Sequence, residues 1–106
     1  MFKGLMKRLK KPEEPVYIIR VKDIKGRKVV ESVYNRRTRE AWSDETIAKC
    51  GLSVLNDKFD YLSDLLWKML DVDDNIDEEH LDREIHSSGT VMVYLWYEPE
   101  RKEAWS

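Results

Sequence analysis

The chain has 106 residues, 42% of them apolar, and a formal charge of -2. That length accommodates one domain with a modest core and excludes a second self-sustaining one, and the sequence contains no run of the roughly 18 apolar residues that a membrane-spanning helix needs. The small net charge conceals a division, because residues 1–40 hold 13 Lys or Arg against 5 Asp or Glu, whereas residues 41–106 hold 6 against 16.

If the fold keeps those halves apart, the molecule has a field that steers and orients a charged partner. Cys50 is the single cysteine. No internal disulfide framework is available, and a reducing, cytoplasmic setting is expected.

Residues 1–15 read as a basic N-terminal arm or short amphipathic helix. Phe2, Leu5, Met6 and Leu9 stand at helical spacing among Lys3, Lys7, Arg8, Lys10 and Lys11. Basic residues run through the apolar ones rather than preceding them, so a signal peptide is not expected. A helix this short is marginal in water and orders only by docking on the domain, a membrane surface or another protein. Pro12 and Pro15 end it.

A single domain is predicted over 16–98. VYIIRVK (16–22) and RKVVESVY (27–34) are rich in β-branched and aromatic residues and read as an antiparallel hairpin joined through DIKG, by a turn looser than the two-residue type. Alternation puts Val16, Ile18 and Arg20 on one face and Tyr17, Ile19 and Val21 on the other. NRRTREAW (35–42) reads as a cationic loop. Ser43 is placed to cap a short helix, DETIAKC, with Asp44 and Glu45 at its positive end and Gly51 as terminator.

Residues 53–70 are predicted to form the main helix. Leu52, Leu55, Phe59, Leu62, Leu66 and Met69 recur at 3,4 spacing, and Tyr61, Leu65, Trp67 and Leu70 widen the apolar surface. After DVDDN, Asp77 is read as the cap of a third helix, EEHLDREI, with Leu81 and Ile85 on one side. SSG (87–89) turns the chain into TVMVYLWY, a strand with Val91, Val93, Leu95 and Tyr97 on one face and Met92, Tyr94 and Trp96 on the other. Residues 99–106 form a C-terminal tail.

The expected fold class is therefore α+β: a small antiparallel sheet, made of the hairpin plus the C-terminal strand, covered on one face by two or three helices in the order ββααα-β. The other sheet face is left for the arm, a dimer mate or a different protein.

Motifs for chemistry are weak. The oxygen-rich run Asp71, Asp73, Asn75, Asp77, Glu79 fails the requirements of a calcium loop, with Ile76 at the tight-turn position and Asp82 where a longer bidentate glutamate belongs. Cys50, His80 and His86 have no zinc-ligand spacing, and Ser87 and Ser88 beside His86 do not supply a separate base and orienting group. No cofactor and no enzyme activity are expected. TIAKCGLS (46–53) resembles a helix-turn-helix in its order of helix, glycine and helix, although one residue fewer separates Ala48 from Gly51. Asp57, Asp60 and Asp64 against Lys58 and Lys68 give its second helix net repulsion toward phosphates.

The expectation is an interaction module, an adaptor, regulator or inhibitor of a larger protein or complex, with homodimerisation also considered. The contact residues expected are Trp42, Trp67, Trp96, Arg36, Arg37, Asp60 and Asp64, since rigid aromatic rings bury much area and charges fix orientation. Trp105 is a further aromatic candidate. The alternative is nucleic-acid binding along the hairpin by Lys22, Lys25, Arg27, Lys28, Arg36, Arg37 and Arg39, with Tyr17 and Tyr34 available for stacking.

Overall fold

A computed structural model describes residues 14–56, 58, 60–86 and 89–98. The arm through residue 13, the tail 99–106, Phe59, Ser87, Ser88 and Trp105 lie outside the described residues. The elements are β1 (Tyr17–Ile24), β2 (Arg27–Asn35), β3 (Glu40–Ala41), α1 (Asp44–Lys49), α2 (Tyr61–Val72), β4 (Ile76–Ile85) and β5 (Thr90–Tyr97). All strand pairings are antiparallel, in the order β3-β2-β1-β5-β4. The chain is a small α+β domain, an open five-stranded sheet with two helices on one face.

β1 and β2 pair from Tyr17 opposite Asn35 to Ile24 opposite Arg27, which leaves only Lys25 and Gly26 in the turn. Both take positive φ, 53° and 82°, as a two-residue type I′ turn requires. This corrects the looser connection expected from the sequence. The Asp23 carboxylate accepts the Gly26 amide at 2.9 Å and pairs with Lys28 at 2.9 Å, so a local side chain stabilises the tight turn. Arg20 lies opposite Ser32 while Val21 lies opposite Val30, so Glu31 is a bulge residue. The bulge brings Glu31 onto the same face as Ser32, the face away from the helices.

The helix-side face carries the core. Tyr17, Ile19, Val21, Val30, Val33, Ile76, Val91, Val93 and Leu95 meet Ile47, Leu52, Leu55, Leu62, Leu65 and Met69. Alternation in β1 and β5 thus has the phase read from the sequence. Ser43 caps α1 through a bond accepted from the Thr46 amide. At the other end the Gly51 amide donates to Ala48 and the Leu52 amide to Ile47, both at 3.0 Å, with Gly51 at φ 75°. That is a Schellman ending, and it drives Leu52 into the core beside Ile47.

The long helix begins eight residues later than its apolar spacing predicts. Leu52 accepts from the Val30 amide and Leu55 donates to the Lys28 carbonyl, so residues 52–55 lie along the outer edge of β2 instead of coiling. Asp60 then caps α2 by accepting the Leu62 amide. The same edge continues through the Trp42 amide, which donates to Val33, and through β3, which pairs Ala41 with Tyr34. A sheet edge open to other chains is thereby covered. With α1 and α2 separated by an extended segment, the arrangement is not a helix-turn-helix.

The largest correction concerns EEHLDREI. It is not a third helix but most of β4, paired with β5 from Leu81 opposite Leu95 to Ile85 opposite Val91. Asp77 caps no helix; its carboxylate accepts the Glu79 amide in an irregular stretch where residues 77–80 oppose Trp96 alone. The residues favour helix intrinsically, but β5 has buried side chains on one face and needs hydrogen-bond partners on its outer side. Pairing supplies them.

Candidate functional site

The expected contact residues fall in three places. Trp42, Arg36 and Arg37 lie near one end of the sheet, where Trp42 meets Tyr17 edge to face at 6.1 Å between ring centroids and Arg37 sits 5.0 Å from the centroid of the Tyr97 ring. Arg36 pairs with Glu14. Asp73, which ends α2, accepts hydrogen bonds from the hydroxyls of Tyr17 (2.8 Å) and Tyr97 (2.5 Å). Burial pushes the Asp73 carboxyl up, but the bonds donated by Tyr97, Tyr17 and Asn75 outweigh it and hold the group below the ordinary carboxylate value. Burial and the same carboxylate raise both tyrosines. This cluster ties α2 to β1 and β5, with the half-buried Trp42 and the exposed Arg37 resting against its tyrosine rings.

Asp60, Asp64 and Trp67 do come together. With Asn56 and Ser63 they line a shallow depression at the start of α2. Asp64 accepts from the Asn56 amide (2.9 Å) and from Lys68 (2.7 Å). Burial raises its carboxyl, and those two bonds more than reverse the effect. Trp67 is 64% exposed. Asp60 is engaged in capping α2, and Asp64 in pairing with Lys68.

Trp96 belongs to the third place, the sheet face opposite the helices, on which no described helix lies. Opposed residues in an antiparallel pair share a face, so the register defines its composition. One row crosses the sheet through Tyr34, Ile18, Tyr94 and Asp82; the next runs through Ser32, Arg20, Met92 and Glu84; a third passes through Val29, Lys22 and Thr90. Trp96 stacks on His80 with ring centroids 3.9 Å apart and planes within 1°. The Tyr94 hydroxyl donates to Glu84 at 2.9 Å, which raises the phenol. Glu31, turned here by the bulge, lies 3.9 Å from Arg20 and 3.6 Å from Lys22.

Charge is graded across this sheet. β1, β2 and their turn carry five basic residues against Asp23 and Glu31, β5 carries none of either sign, and β4 carries five acidic residues against Arg83 alone. Across these strands, a neutral aromatic strand thus lies between basic and acidic flanks.

The basic residues of the hairpin divide. Lys28 is paired with Asp23 and lies 5.3 Å from the centroid of the Tyr61 ring on the helix side, and Lys22 is held by Glu31. Lys25 and Arg27 stand exposed at the turn, while Arg39 takes a positive φ of 60° in the turn from β2 to β3. Tyr17 is buried, so it offers no stacking surface, whereas Tyr34 is exposed.

Sequence reasoning found Trp96 and the open face of β5 but not their neighbours on β4. His80, Asp82 and Glu84 were hidden by the helical reading of that segment. The bulge that turns Glu31 outward has no signature in RKVVESVY.

Among the described residues, no group of three or more His, Cys, Asp or Glu side chains converges as metal ligands would, and no helix is long and apolar enough to cross a membrane. Comparison with protein-family models, curated proteins and solved structures gives no match.

Proposed function

We propose that the protein is a non-enzymatic interaction module that docks on a protein surface through the open face of its sheet, acting as an adaptor, regulator or inhibitor in the cytoplasm. The observation that carries the reading is the combination of Ile18, Tyr34, Met92, Tyr94 and Trp96 on the one face that carries none of the described helices, flanked by Arg20 and Lys22 on one side and by Asp82 and Glu84 on the other. Apolar and aromatic side chains there supply buried area, and the opposed charges set orientation and reject mismatched surfaces.

A tagged full-length chain tests this by capture from lysate across a salt series, with and without nuclease. A protein retained after nuclease, lost with Met92→Glu and kept with Trp67→Ala, supports the reading. Retention unaffected by Met92→Glu rejects it. Nucleic-acid binding is the second reading, favoured by the exposed Lys25 and Arg27. It requires nuclease-sensitive recovery falling steeply with salt, and the carboxylates of Asp82 and Glu84 on the same face oppose it.

A further inference from the structure

The open face is self-complementary. Arg20 of β1 and Glu84 of β4 both lie opposite Met92 of β5, one on each side, and Ile18 and Asp82 flank Tyr94 in the same way. The central strand is neutral, whereas the flanking positions of the Met92 row have opposite sign. We propose that this face binds a second copy of the chain about a two-fold axis running along β5, so that Met92 and Tyr94 pack on their counterparts and Arg20 of each copy meets Glu84 of the other. The inference rests on the docking reading above and names its partner.

The geometry follows from the rows. Rotation about an axis parallel to the strands keeps each row at its height and exchanges its two sides, which carries β1 of one copy over β4 of its mate. Sheets pack face to face about 10 Å apart. An arginine and a glutamate reaching toward each other bridge that gap. A two-fold axis across the strands would instead lay β4 over β4, with Asp82 and Glu84 crowding their like. Pairing of two β4 edges in one continuous sheet would align strands that each carry Asp77, Glu78, Glu79, Asp82 and Glu84. Like charges directly opposed disfavour both alternatives. The axis along β5 places Arg20 over a carboxylate and uses each such contact twice, as an isologous interface must.

Charge reversal tests the pairing. Sedimentation equilibrium of the full chain, at roughly micromolar to several hundred micromolar concentration, is compared among wild type, Arg20→Glu, Glu84→Arg and the double variant, each checked for folding by circular dichroism. Both residues are exposed, so the variants retain the core. The wild type is expected to form dimers, each single variant to dimerise about tenfold or more weakly, and the double variant to return to within about threefold of wild type. A wild type that stays monomeric throughout, or a double variant as weak as the singles, overturns the homodimer. A monomeric wild type whose Met92→Glu variant still loses a captured protein overturns the homodimer alone, whereas a monomer whose protein capture ignores Met92→Glu overturns the docking reading as well.

Discussion

Tyr17 and Asp73 stand 56 positions apart in the chain and are joined by a hydrogen bond of 2.8 Å. The bond connects the first strand to the end of α2, and Tyr97 donates to the same carboxylate oxygen from the last strand. One side chain thus fixes the helix to two adjacent strands.

Replacing Asp73 with Ala leaves two partly buried hydroxyls without their acceptor and should cost about 1–3 kcal/mol, read as a lowered midpoint in urea. The pH dependence is two-sided. The carboxyl titrates lower in the folded chain than in the unfolded one, so its contribution is full above about pH 4 and is lost as pH falls through the folded value. The tyrosines titrate higher when folded, so their contribution is present below about pH 10 and is lost as pH rises beyond it. Thermal denaturation against pH should show a weaker acid limb in Asp73→Asn, with a remainder from Asp23 and Asp64, whose carboxyls are also held low. An acid limb identical to wild type would remove Asp73 from this role.

The hairpin turn makes a separate prediction. A Cβ on Gly26 would meet nothing within 4 Å, so Gly26→Ala isolates the conformational cost of φ 82°. That cost is about 1–2 kcal/mol. Lys25→Asn, which suits the first position of a type I′ turn, should stabilise by about 0.5 kcal/mol. Chemical denaturation of the two variants should move the midpoint in opposite directions.

Trp67 and Leu65 are two positions apart on α2 and should behave differently. Leu65 is fully buried, and Leu65→Ala should cost about 2–5 kcal/mol. Trp67→Ala should change stability by less than about 0.5 kcal/mol. Equal losses in a urea titration would contradict the assigned helix orientation.

His80 and Trp96 stack on the open face. His80→Ala should remove about 0.5–1 kcal/mol and shift the tryptophan emission by wetting the Trp96 ring. An unchanged spectrum and midpoint would show that the stack contributes nothing in solution.

Much of the fold is legible locally. Alternation over a few residues identifies β1 and β5 and divides each into two faces, because the pleat repeats every two residues, whereas in β2 the bulge at Glu31 puts Val30 and Val33 on one face at an odd spacing. Ser43 and Gly51 mark the ends of α1 through bonds to their own backbone neighbours. Leu81 and Ile85 show where this logic stops. A separation of four puts both on one side of a helix, but four is even and puts both on one face of a strand as well.

The sequence by itself determined the hairpin, the capped short helix, the two-faced final strand and the partition of charge, all of which act over neighbouring residues or depend on composition. Tertiary structure decided that residues 76–85 extend along β5, that residues 52–55 line β2 before α2 begins, and that Arg20 and Glu84 flank Met92. Residues 76–85 are held by β5, the next strand, which β1 in turn fixes in the sheet, and residues 52–55 are held by β2, well before them in the chain. Local preferences of a fraction of a kcal/mol per residue yield to that pairing once a half-buried strand would otherwise lack partners.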